Sequence, residues 1–377
     1  MSTDRLVPCG DPRDAGMDPR QLAQIDAVIE EHITFGAFPG AVVLIARSGM
    51  IVKHTSYGMA MEIPTRRAMT LSTIFDLASL TKAVVTALLA MRLVEQNLWR
   101  LDDSLKRFLP RFNEPTIKIK HLLTHTAGLP PWANLFWLGA GKEKVLEQIY
   151  ENRWPIASAL FPPGQLVLYS DLGFILLGEA IEKVAGVKLD RLAREWIFTP
   201  LGMKDTMFNP ADDLKSRIAA TEDDPTRGGV LIGMVHDENA WAMGGVSGHA
   251  GLFSTAADLA IYAQMLLNSG LYGEERVLSS RSIQLMTSPQ TEGLNERRGL
   301  GWLLQGKKTV SAGDLFSESA FGHTGFTGTS LWIDPRYRLI VVLLTNRVHP
   351  ARERGVTEIR RIRALVNNLT VGAISDG

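Results

Sequence analysis

Apolar residues along the chain follow two different spacings, and the switch between them outlines the architecture. The segment DPRQLAQIDAVIEEHITFG sets apolar positions at helical intervals behind Asp18, an N-cap by type, and Pro19, suited to the first helical position. An amphipathic helix is expected there. GAVVLIARSGMIVKHTSYGMA then gives two runs rich in β-branched residues around Ser48-Gly49, which predicts a β-hairpin. Near the other end, TSLWIDPRYRLIVVLLTNR repeats that grammar with Asp334-Pro335 as the turn, and TEIRRIRALVNNLTVG returns to helical spacing. Between roughly residues 76 and 290 helical periods dominate, at 80–97, 142–152, 171–185, 188–196, 256–269 and 280–287. The economical fold class is α+β. Residues 1–75 and 291–377 would form a lobe with an antiparallel sheet flanked by helices, residues 76–290 a mainly helical inserted lobe, with an active site between them.

A chain of 377 residues exceeds the size at which one core stops growing, consistent with two lobes. Forty basic and forty acidic residues leave no net charge and no long run of one sign, which argues against nucleic acid or an anionic membrane as partner. Cys9 is the sole cysteine, so no intrachain disulfide forms and a cysteine-based metal site is not expected. The segment MSTDRLVPCGDPRDAGMDPR has charges and prolines where a secretory signal has an apolar stretch, and a cytoplasmic address is expected.

Candidate chemistry begins in FDLASLTKAVVTALLA, where Ser79 and Lys82 stand three positions apart at the start of an apolar helix. That spacing puts both on one face. A serine hydroxyl needs a base, which lysine can be when its pKa is lowered, and a helix N-terminus offers unpaired N–H groups to a developing anion. The bland alternative is a capping residue at Ser79 or Thr81 with Lys82 reaching solvent.

Two further stretches favour chemistry. PPGQLVLYSDLGFILLGEAI carries Tyr169-Ser170-Asp171 before an apolar helix, and AFGHTGFTGTSLWIDP carries His323-Thr324-Gly325 leading into a strand, the glycine permitting close approach to the backbone. With these the chain resembles the penicillin-recognising serine hydrolases: class C β-lactamases, serine DD-peptidases, D-aminopeptidases and family VIII carboxylesterases. HLLTHTAGLP, PLGMKDTMF and GHAGLFSTAADLA resemble that family too. The resemblance implies a β-lactamase/transpeptidase-like fold and two-step acyl transfer without metal or organic cofactor. It implies Ser79 as nucleophile, Lys82 helping to deprotonate it, and Tyr169 as general base and then proton donor to the leaving group. The oxyanion hole would be the N–H groups of Ser79 and of Phe326, just past Gly325 on its strand.

Two departures stand out. Asp171 replaces an asparagine, and it would either pair with Lys82 and raise that lysine's pKa or hold a proton. His323 replaces a lysine used near the substrate carboxylate, which favours substrates without a free carboxylate.

Several other residues invite sharper readings. His236, Asp237, Glu238, Asn239 and His249 lie close in GMVHDENAWAMGGVSGHAG; a loop lining or packing on the cleft is preferred to a metal site, with Asn239 and Trp241 as candidate substrate contacts. His121 and His125 are read as hydrogen-bonding groups in a folded turn near the nucleophile. Trp132, Phe136 and Trp137 would either pack under the helical lobe or wall an acyl-chain site, and Ser254 with Asp258 begins a capped helix. The first functional reading is a carboxylesterase on small or medium esters. The second is a peptidase or β-lactamase on D-amino-acid peptides or β-lactams, and the third a non-catalytic relative. The partner would be a small ester or amide, and an oligomer stays open.

Overall fold

A computed structural model describes residues 5–6, 8–136, 141–151, 162–306 and 311–375. Its centre is a seven-stranded antiparallel sheet formed by β1 (Gly40–Arg47), β2 (Met50–Met61), β3 (Arg67–Ala68), β4 (Leu303–Leu304), β5 (Phe321–Thr324), β6 (Ser330–Asp334) and β7 (Leu339–Thr345). The strand order is β4-β5-β6-β7-β1-β2-β3. β1 pairs with β7 in a register that sets Val43 opposite Leu343, so the two ends of the chain meet at mid-sheet. The expected hairpin turns at Ser48 and Gly49, both at positive φ. In the second hairpin Asp334 accepts a hydrogen bond from the Arg336 N–H (3.0 Å).

Every residue of β1 and β7 is buried, because the sheet is covered on both faces. Ala41, Val43 and Ile45 pack with helices Pro19–Thr34 and Glu358–Gly372, whereas Val42, Leu44 and Ala46 join the large core of the helical region. That is why both strands read as unbroken apolar runs. The first helix is capped as its sequence requires, with Asp18 Oδ1 accepting from the Arg20 N–H at 2.8 Å.

Helices also occupy Lys142–Tyr150, Asp171–Ala185, Ala256–Leu267 and Ser280–Thr287. The expected helix at 80–97 begins with a π turn at Lys82–Thr86 before Ala87–Glu95, and 188–196 likewise passes from Leu189–Ala193 into a π turn at Arg194–Phe198. β4 and β5 were hidden from periodicity by their shortness. On β5, Gly322 faces Trp332 of β6, and a Cβ at 322 would come within 2.4 Å of that indole. Trp332 is fully buried and stacks with Phe316. Trp332→Ala is expected to cost about 3–5 kcal/mol in a urea titration.

Candidate active site

Ser79 sits in the turn between the short strand Phe75–Asp76 and the apolar helix. Ala78 before it takes φ 46°, a left-handed conformation that costs a non-glycine residue about 1–2 kcal/mol. Asp76 holds this turn. One of its carboxylate oxygens accepts from the Ala78 N–H (2.8 Å), the other from the His236 N–H (2.7 Å), and its carbonyl accepts from the Thr327 hydroxyl (2.7 Å). Burial pushes the Asp76 carboxyl up despite these donors.

Lys82 is fully buried, with its Nζ donating to Ser79 Oγ at 2.8 Å and to the His249 carbonyl at 2.9 Å. Asp171 Oδ1 lies 2.6 Å from the same nitrogen. Two hydrogen-bond acceptors and one carboxylate in ion-pair contact thus surround the ammonium. Burial opposes the charge, but Asp171 and then Tyr169 outweigh it and hold the Lys82 pKa above the ordinary lysine value. Lys82 at rest is therefore a donor to Ser79. Of the two expectations for Asp171, the geometry is that of the ion pair.

Ser170 N-caps the helix Asp171–Ala185, which puts Asp171 in its first turn. Tyr169, just before the cap, is fixed by His125. The His125 carbonyl accepts from the Leu168 N–H (2.8 Å), its Nδ1 accepts from the Ser170 N–H (3.0 Å), and its ring stacks on Tyr169 with centroids 4.4 Å apart. Burial holds the His125 imidazole well below its ordinary pKa, the neutral form that Nδ1 needs in order to accept. Burial likewise raises the Tyr169 hydroxyl, while Lys82 and a hydrogen bond from Ser79 pull it the other way.

Across the cleft, β5 ends at Thr324, so Phe326 lies in the 325–329 turn and not on a strand as expected. Gly325 is required by the protein's own backbone: a Cβ there would come within 2.2 Å of Thr329 Oγ1 and 2.4 Å of the Leu77 carbonyl. Two buried arginines hold the turn from behind. Arg347 donates to the Phe326 carbonyl (2.6 and 3.2 Å), and Arg363 to the carbonyls of Gly325 (2.8 Å) and Thr329 (2.9 Å). His323 is buried and neutral, its pKa well lowered by burial and by Arg298; its Nδ1 donates to the Thr324 carbonyl at 2.9 Å, which leaves Nε2 as an acceptor.

A cleft of about 440 Å³ opens on Ser79, Tyr169, His323 and Phe326 and is further lined by Glu296, Arg298, Arg347, Arg360 and Arg363. Arg363 keeps a buried Nε without a partner among the described residues, and burial lowers its pKa to about 9. Sequence reasoning missed these arginines. The available clue was Arg363 on the buried stripe of Ile359, Ile362 and Val366.

Other candidates fall elsewhere. Asn239 is fully buried with its amide bonded to the Leu135 N–H and the Ala133 carbonyl, which occupies it inside the helical region. Trp241 lines a separate depression with Asn209, Ile232 and Met234. Phe136 packs against the helical core, Trp132 is half exposed and absent from the cleft lining, and Trp137 lies outside the described residues. His121 accepts from the Lys118 N–H (3.2 Å), and Thr255, next to Ser254, is the cap whose hydroxyl accepts from Asp258 N. His236 stacks on Phe326 and bonds Glu222 (2.9 Å), which Arg352 also grips. Among the described residues no cluster of three or more His, Cys, Asp or Glu is placed to hold a metal, and no helix is long and apolar enough to cross a membrane.

A serine and a tyrosine lining a cleft around a fully buried lysine, beside an antiparallel sheet, make the constellation of a serine hydrolase. The Beta-lactamase family profile matches residues 25–365, and the chain belongs to that family. It is similar to an Escherichia coli K12 protein named "Putative D-alanyl-D-alanine carboxypeptidase", 35% identical with 90% of this chain and 85% of the relative covered. A Bacillus subtilis protein named "N-acetylmuramyl-L-alanine amidase" is also 35% identical, covering 89% and 83%. Among solved structures, "EstCE1, a hydrolase with promiscuous acyltransferase activity" superposes with TM-score 0.74 at 26% identity, covering 94% of this chain and 99% of that one.

Two outcomes are expected. Gly325→Ala should drive the turn and the Ser79 segment apart and lower kcat about 100-fold or more with little change in KM. Glu222 is pushed up by burial, but hydrogen bonds from His236 and Arg352 outweigh this and hold it at about 2 against an ordinary 4.5. A depressed folded pKa contributes stability present above the unfolded value and lost as pH falls through the folded one. Glu222→Gln should therefore be less stable than wild type at neutral pH, with the gap in unfolding midpoint closing between about pH 4.5 and 2.

Proposed function

We propose that the protein hydrolyses an amide or peptide bearing a free carboxylate, by acyl transfer to Ser79, in the manner of a D-amino-acid peptidase or muramyl-peptide amidase. The observation that carries the substrate class is the arginine lining: Arg298, Arg360 and Arg363 face the cleft with only Glu296 among them to offset their charge. The printed names of the two 35% relatives support the same class. A carboxylic ester is the second reading, supported by neutral His323, a weak anchor for an anion, and by the likeness to EstCE1.

In this reading Ser79 Oγ attacks the carbonyl carbon, and the developing oxyanion is received by the N–H groups of Ser79 and Phe326. Because Lys82 rests as an ammonium, it can take the Ser79 proton only after losing one of its own, a loss that Asp171, 2.6 Å away, opposes. Tyr169 relays a proton to the leaving amine, and water then releases the acid.

Ser79→Ala should abolish turnover. The substrate class is tested with an N-acyl-D-alanyl-D-alanine peptide against its methyl ester at the terminal carboxylate. The free acid is expected to be favoured at least about tenfold in kcat/KM, and the opposite preference would move the assignment to neutral esters. Asp171→Asn removes the countercharge that holds Lys82 protonated, so Lys82 should lose its proton at lower pH and the limb of the kcat–pH profile that reports it should move to lower pH. A pH profile unchanged from wild type would sink that role.

A further inference from the structure

Behind Lys82 lies a buried polar chain that the acyl-transfer chemistry does not use. The His249 carbonyl accepts a hydrogen bond from Lys82 Nζ at 2.9 Å. Its imidazole is also buried, and both ring nitrogens are bonded: Nε2 to Asp237 Oδ1 and Nδ1 to Ser247 Oγ, each at 2.8 Å. Asp237 Oδ1 in turn accepts from the Ala240 N–H (2.8 Å) as cap of the short helix Glu238–Ala242. The backbone beside His249 runs against the nucleophile helix, where Thr86 donates to the Gly248 carbonyl (2.6 Å) and the Leu252 N–H donates to Thr81 Oγ1 (3.2 Å). Gly248 presses so closely on the helix Asp171–Ala185 that a Cβ there would lie 2.1 Å from the Phe174 carbonyl. The segment therefore touches both helices that supply the Lys82 site.

An imidazole held at both nitrogens has one orientation, and the peptide that carries it is held with it. We propose that Asp237 and His249 are positioning residues for Lys82: the Asp237–His249 hydrogen bond fixes the His249 carbonyl on Nζ and so sets the distance from Lys82 to Ser79. The inference rests on the acyl-enzyme reading, because it gives Lys82 a position worth fixing. Ser247 and His249 do not form a second nucleophilic site, since Ser247 is itself buried.

The test is the rate at which a fluorophosphonate labels Ser79, which reads activation of the hydroxyl without knowledge of the natural substrate. Glutamine places its amide where His Nε2 lies, and asparagine places it where Nδ1 lies. His249→Gln keeps the link to Asp237 and should label within about threefold of wild type, whereas His249→Asn reaches only Ser247 and should label at least about tenfold more slowly. Asp237 gives an independent pair. Asp237→Ser keeps a good helix cap but is too short for His249 and should be slow, while Asp237→Asn keeps both hydrogen bonds and should stay near wild type. A residue that only filled space or capped the helix would not separate the members of either pair. Folded His249→Asn or Asp237→Ser labelling at the wild-type rate would overturn the proposal. Failure of wild type to label, or undiminished labelling of Ser79→Ala, would instead remove the acyl-enzyme reading and this inference with it.

Discussion

A fully buried ammonium cannot be left without partners, and the architecture around the cleft follows from meeting that demand at Lys82. Its partners arrive from three parts of the chain: the turn at Ser79, the first turn of the helix at Asp171, and the peptide at His249. Each part is held by its own device. Asp76 grips the first, the Ser170 cap and His125 set the second, and Asp237 and Ser247 hold the imidazole of the third, next to Gly248 packed on the helix Asp171–Ala185. Asp171 supplies the countercharge that an asparagine in its place could not. The resting site is consequently an ion pair with a serine hydrogen-bonded to its cationic end.

The opposite wall solves a different problem. The 325–329 turn must lie close to the serine, so Gly325 is compressed between Thr329 and Leu77 while Thr327 and Thr329 bond to Asp76 and Leu77. Arg347 and Arg363 take up the turn's carbonyls from the far side. Arg363 thereby serves both structure and cleft, since its guanidinium braces the turn and the residue also lines the cavity.

Membership of the Beta-lactamase family fixes the type of reaction more firmly than it fixes the substrate. The replacement of a motif lysine by His323 suggested a site with no use for a carboxylate, and the imidazole is indeed neutral. Yet positive charge is present in the same cleft on other elements, at Arg298 beside β4 and at Arg360 and Arg363 on the helix Glu358–Gly372. A reading that stops at the motif positions cannot see that charge.

Local pattern was sufficient for whatever depends on local physics. The Asp18 cap, the two hairpins with their turns and most helices were legible because period, capping chemistry and turn residues act within a few positions, whereas Ser79 lies in the turn before the helix and not on its face. The sequence also exposed Asp171 and His323 as departures, since substitutions within a motif show without a fold. It could not reveal that Asn239 bonds Leu135, that Trp241 faces another depression, or that Phe326 sits in a turn. Nor could it tell that Asp76, His125 and Arg363 converge on the segments that carry the reactive groups, for those contacts join residues far apart in the chain. Their protonation states followed the same division: burial and neighbouring charge exist only once the chain has folded, so tertiary structure alone decided that Lys82 rests charged and His125 and His323 neutral.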